Sequence, residues 1–150
     1  YSPIITINFW TREPLPAGPP IALVNSPLQW IFPIPNHDKP GEGYGYTGVI
    51  SAAFREVDWG RETLLEMIDR EFVRFFKRSL VTDFHLIESK IIKEKTATIL
   101  QTPDSLRLRP GGVTPYPNLV LAGDWLDTGL PATIESAVQS GREAIDKLTA

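Results

Sequence analysis

Three features of this sequence predict an α+β fold, with a mixed or antiparallel sheet and helices packed on it. Short β-branched and aromatic runs, Ile4–Trp10, Ile21–Asn25, Gln29–Phe32 and Tyr46–Ser51, are separated by proline- and glycine-rich breaks, the pattern of strands joined by loops. Arg61–Leu80 carries Leu64, Leu65, Ile68, Phe72, Phe75, Phe76 and Leu80 at three- and four-residue spacings, which predicts one long amphipathic helix. Asn118–Gly141 reads as strand, turn and the start of a second helix.

Taken in order, Ile5, Ile7 and Phe9 alternate with Ile4, Thr6 and Asn8, and the apolar character of both sets predicts a first strand buried largely on both faces. Pro14, Pro16, Gly18, Pro19 and Pro20 mark a loop, and Ser26 and Pro27 join the next two strands. Pro33–Gly45 is a second loop. Its His37-Asp38 pair has no further ligands beside it and reads as a solvated loop, with no metal site. On the long helix, Arg61, Glu62, Glu66, Asp69, Arg70 and Lys77 occupy mostly the face away from the apolar stripe, so the helix should sit on the sheet. Phe84–Glu94 alternates as a long strand, placing His85 on a strand face as a hydrogen-bonding group. Ala97–Thr102 reads as a further strand, and Pro103–Pro117 as a loop.

Composition narrows the function classes. With 150 residues, 42% hydrophobic and 22% charged, the chain can bury one sizeable core, and a net charge of −3 gives no basic excess for nucleic acid. It has no cysteine, which excludes disulfides and cysteine-ligated metals. No apolar run reaches the roughly 18 residues of a spanning helix, and YSPIITINFW lacks the pattern of a signal peptide. A cytoplasmic location is the expectation, and peripheral contact with the inner membrane face is compatible with it.

The last stretch alone reads as a site. Leu119–Ala122 suits a buried strand, Gly123 ends it, and a turn carrying Asp124 and Asp127 leads to Pro131, which suits the first position of a helix running to Leu148. Ile134, Ala137, Val138, Gly141, Ile145 and Leu148 then form one stripe. Pro131 has no N–H, and Leu130 cannot cap with its side chain, so the amides of Ala132, Thr133 and Ile134 need water, a loop or a ligand. The positive helix end favours an electron-rich ligand. On spacing alone, an ordinary turn in which both aspartates accept from turn amides explains the stretch equally well.

Ala122, Gly123 and Asp124, followed by Glu135, Ala137, Ser140 and Gly141, resemble the carboxy-terminal flavin-contacting segment of the FAD-dependent amine oxidase and phytoene desaturase superfamily. There a strand enters an Ala-Gly-Asp or Ala-Gly-Glu turn, and the helix that follows carries Glu-x-Ala-x-x-Ser-Gly. The fuller text GDWLDTGLPATIESAVQSG, with SPLQWIF at Ser26–Phe32, looks most like the squalene-associated desaturases, also described as hydroxysqualene dehydroxylases. The likeness is strong over 118–150 and looser back to Tyr1.

The resemblance implies that 1–103 is part of a substrate-binding region and 104–150 the last segment of an FAD-binding domain. Asp124 would accept a hydrogen bond from the ribityl or pyrophosphate region of FAD, and the amides of Thr133 and Ile134 would face the flavin N1 and O2 edge. Ala132 and Trp125 would lie beside them, and Gly123 and Gly141 would allow close backbone approach. Arg107 and Arg109 would pair with FAD phosphates or remain surface charges. Phe9, Trp10, Trp30 and Phe32, with Trp125, would line a pocket for an apolar isoprenoid, and Asp127 would be the acid of a dehydroxylation. The superfamily's GxGxxG element does not occur in this sequence, so the implied partner is an N-terminal Rossmann-type region on a longer parent. FAD would belong to that parent and be absent from the isolated chain. Carotenoid desaturase and amine oxidase-like flavoenzymes use the same fold. A non-catalytic module that binds apolar ligands or self-associates is the reading without a cofactor.

Overall fold

The computed structural model describes residues 1–16, 18, 20–35 and 43–149. His37 and Asp38 therefore lie outside the described residues. The chain divides into two compact units, Ser2–Ala97 and Thr98–Ala150.

The first unit is built on β1 (Ser2–Thr11), β2 (Ile21–Ala22), β3 (Trp30–Pro33), β4 (Tyr44–Ser51) and β5 (Leu86–Thr98), in the order β2-β3-β4-β1-β5. The pairs β2–β3, β3–β4 and β1–β4 are antiparallel. Cα partners across them put side chains on a common face, so Ile31, Gly48 and Ile7 share one face and Phe32, Thr47 and Asn8 the other. The first face meets α1 (Arg61–Phe76): Ile5, Ile7, Phe9, Ile31 and Ile50 form one cluster with Leu64, Met67, Ile68 and Phe72. Gly48 is needed there, because a Cβ would stand 2.8 Å from Leu28 Cδ1 in the filled core.

Several boundaries differ from expectation. β1 is fully buried on the Ile5–Ile7–Phe9 face only, and Ile4, Thr6, Asn8 and Trp10 are half-buried. The α1 helix stops at Phe76, four residues early, where Lys77 turns left-handed at φ 57°. Competing acceptors end it: Asp83 Oδ2 takes the Ser79 amide at 2.7 Å, and Asp69 Oδ1 takes the Ser79 hydroxyl at 2.8 Å and the Val81 amide at 3.1 Å. Leu80 is still buried. His85 precedes β5 at φ 48°, with Nδ1 3.0 Å from Glu13 Oε2. Beyond Thr98 the expected strand to Thr102 is replaced by a turn into α2 (Pro103–Arg107), capped by Thr102 through a reciprocal bond with Ser105.

The second unit buries Leu126, Ser136 and Ser140 among its described residues, so hydrogen bonds hold it more than apolar contact does. The expected strand Leu119–Ala122 is a single bridge, Val120 to Val113, because no ladder partner lies alongside it in this unit. Helix α3 (Ile134–Thr149) begins three residues after Pro131. Thr133 caps it, its carbonyl taking the Ala137 amide at 3.1 Å and its hydroxyl the Ser136 amide at 3.4 Å. Ser136 and Ser140 face inward, whereas Ile134 (86% exposed), Val138, Ile145 and Leu148 lie open.

Candidate functional site

The turn from Gly123 to Thr133 is fixed from two sides. On one side Ser140 Oγ accepts the Gly123 amide at 2.8 Å and lies 3.1 Å from the Gly123 carbonyl, so α3 holds both ends of one residue's backbone. At Gly123, φ is +154°, and a Cβ would stand 2.6 Å from Trp125 Cδ1, so the indole occupies the space a side chain would take. By contrast, a Cβ at Gly141 would meet nothing within 4 Å among the described residues.

On the other side stands Arg109. Its guanidinium donates to the carbonyls of Leu130 (2.5 Å), Asp124 (2.7 Å) and Trp125 (3.3 Å), and to Ser136 Oγ at 3.3 Å. Ser136 Oγ also lies 2.7 Å from Thr128 Oγ1, and the neighbouring Pro110 carbonyl accepts the Asp127 amide at 2.9 Å. Arg109 is thus tied into the turn and is no loose surface charge. Arg107 is an exposed residue 3.9 Å from Asp104.

What the turn leaves open is specific. The Asp124 carboxylate has no hydrogen-bond or ion-pair partner among the described residues, although its carbonyl is occupied by Arg109. The amides of Ala132, Thr133 and Ile134 likewise have none, and Thr133 Oγ1 turns back on the Pro131 carbonyl at 3.2 Å. Asp127 Oδ1 accepts the Gly129 amide at 3.3 Å, so one of its oxygens shapes the turn. Beside them Gln101, Leu106, Arg109, Asp127, Gly129, Leu130 and Pro131 line a cavity of about 320 Å³.

In the first unit the four aromatic candidates separate. Phe9 is in the core, stacked on Tyr46 at 5.5 Å and edge-on to Phe72 at 5.7 Å. Trp10, Trp30 and Phe32 lie on the opposite, open face of the sheet with Thr6, Asn8 and Val49. Trp30 and Phe32 stack at 5.9 Å and are each about 40% exposed, which presents an apolar surface to whatever lies there.

The sequence signal for Ser140 was its place beside Gly141 in the helix motif. Arg109 and Ser136 had no comparable signal, because their partners are backbone carbonyls far along the chain. The family of flavin-containing amine oxidoreductases matches the chain over residues 1–148. The chain belongs to this family. Among curated relatives, this amine oxidoreductase segment is 37% identical over 151 residues to hydroxysqualene dehydroxylase of Rhodopseudomonas palustris, covering 100% of the segment and 33% of that protein. It is 35% identical over 143 residues to hydroxysqualene dehydroxylase of Sinorhizobium fredii, covering 95% of the segment and 31% of that protein. With carotenoid phi-ring synthase of Chlorobaculum tepidum it shares 30% over 145 residues, covering 79% of the segment and 22% of that protein. The segment therefore spans a third or less of the length of these relatives.

Proposed function

We propose that the chain is the carboxy-terminal portion of a longer FAD-dependent oxidoreductase acting on a long isoprenoid, by dehydroxylation or desaturation of squalene type. Residues 1–103 supply part of the substrate-binding region and 104–150 the last segment of the FAD-binding domain. One observation carries this reading: the turn holds out a carboxylate and three amides that nothing in the described chain uses. That donor and acceptor set fits a flavin, which offers hydroxyl donors along its ribityl chain and an electron-rich N1 and O2 edge. Asp124 accepts from the hydroxyls, and the amides of Thr133 and Ile134, with Ala132 beside them, face the electron-rich edge. Gly123 and Trp125 form the floor of the turn. FAD, when bound, supplies the hydride chemistry, and the protein supplies position, charge and exclusion of water.

The substrate is nearly all hydrocarbon and suits an apolar, aromatic surface. Trp10, Trp30 and Phe32 provide it on the open sheet face, and Phe9 supports that sheet from beneath. Asp127 acts as the acid: with Oδ1 tied to the Gly129 amide, the carboxyl places its proton on the departing hydroxyl oxygen, which leaves as water. An N-terminal Rossmann-type region of the parent covers the apolar stripe of α3, which otherwise favours self-association of the isolated chain. No helix among the described residues is long and apolar enough to cross a membrane. The proposed location is cytoplasmic, with peripheral contact at the inner membrane face where such a substrate resides.

Product analysis tests the reaction. The full-length protein, with reduced FAD and hydroxysqualene under anaerobic conditions, is expected to yield the hydrocarbon with hydrogen in place of the hydroxyl. The relation to carotenoid phi-ring synthase favours a second reading, desaturation of a polyene precursor. Consumption of phytoene by the oxidised protein, with the alcohol left intact, would establish that one and sink the first.

A further inference from the structure

Arg109 holds the turn by a means the rest of the unit does not use. A guanidinium carries five N–H donors in a rigid plane, and here they reach three backbone carbonyls spread from Asp124 to Leu130 and the buried hydroxyl of Ser136 on the first turn of α3. The single bridge between Val113 and Val120 leaves the turn without a strand ladder; among the described residues Arg109 is the donor to the Leu130 and Trp125 carbonyls, and it shares the Asp124 carbonyl with the Ser136 hydroxyl at 3.3 Å. Drawing the Asp124 carbonyl inward sends the next N–H, that of Trp125, the other way, since a trans peptide opposes its two polar groups. Every acceptor is neutral. Arg109 forms no ion pair within 4 Å among the described residues, and its charge offsets part of that of Asp124 and Asp127 on the same turn.

We infer that Arg109 is the positioning residue of the flavin-facing turn: its guanidinium fixes the backbone from Asp124 to Leu130, from which the Asp124 carboxylate and the 132–134 amides project, and its charge, by offsetting that of Asp124 and Asp127, makes that edge more favourable for a reduced, negatively charged cofactor. The inference rests on the flavin reading of the turn. Two effects are thereby combined in one side chain, and lysine separates them. An ammonium keeps the charge but cannot span three carbonyls.

The experiment compares the full-length wild type with R109K and R109M. Amide exchange at Leu126, Asp127, Thr128, Gly129 and Leu130, whose amides are hydrogen-bonded, is expected to quicken about tenfold or more in both variants in the apoprotein, as the carbonyl bonds to a charged donor are lost. The FAD dissociation constant should rise about tenfold in R109M. The midpoint potential of the bound flavin should fall in R109M and return toward wild type in R109K. Unchanged exchange in R109M would overturn the clamp, and an unmoved potential would overturn the electrostatic role, leaving a merely structural arginine. A wild type that takes up no FAD would overturn the flavin reading and with it the link to the cofactor. The exchange comparison would then still decide whether Arg109 holds the turn.

Discussion

Phe72→Ala is expected to lower the unfolding free energy of the first unit by about 3–5 kcal/mol. Phe72 is fully buried and its ring is the hub of an aromatic cluster: it meets Phe9 at 5.7 Å and Phe84 at 6.0 Å, both edge-on, and Phe76 at 5.3 Å. These walls come from β1, from α1 itself and from the turn before β5. Phe9 is pinned by the ladder to β4, and Phe84 by its amide on the Ser79 carbonyl and by Arg78 stacked on its ring at 4.8 Å. The site therefore cannot collapse easily, and the high end of the large-to-small range applies. Val73, the next residue, is 47% exposed, so Val73→Ala should stay within about 0.5 kcal/mol. Equal denaturant midpoints for the two variants would place the core elsewhere.

The second large effect concerns FAD. The isolated chain is expected to bind it only at millimolar strength or weaker, against stable retention by the full-length protein. Three amides and one carboxylate, at about 1 kcal/mol net each, supply a few kcal/mol. Association costs at least about that much in lost freedom. A dinucleotide is held mainly by a glycine-rich helix start on its pyrophosphate and an acidic residue on its ribose, and the sequence contains no GxGxxG element. Flavin fluorescence during titration measures this, and saturable micromolar binding to the isolated chain would mean that the cofactor site is complete without further sequence.

Periodicity made the first unit legible. The alternation of Ile5, Ile7 and Phe9 and the helical spacing of Leu64, Ile68 and Phe72 name the two faces that meet, because both elements find their partners within the chain. The end of α1 was hidden, since it depends on Asp69, Ser79 and Asp83 competing for backbone amides across a turn. Helix α3 shows a different limit. Its apolar stripe names the surface that favours burial, but the described unit buries the serine face and leaves Ile134, Val138, Ile145 and Leu148 open. Pattern records what a residue prefers, while the available partners decide what is covered. The turn was legible as Ala122–Gly123–Asp124 with Ser140 and Gly141. Arg109 was not, because a side chain bound to distant carbonyls leaves no periodic trace.

The role given to the turn is tested most directly by the FAD affinity of the full-length protein with Asp124→Ala. The carboxylate has no partner among the described residues, so its loss should leave the fold intact, with an unchanged melting temperature. Removal of a charged hydrogen-bond acceptor from the cofactor should weaken binding by about 1–3 kcal/mol, between roughly fivefold and a hundredfold in dissociation constant. Wild-type affinity in that variant would contradict the account and remove Asp124, and the turn it stands on, from the flavin site.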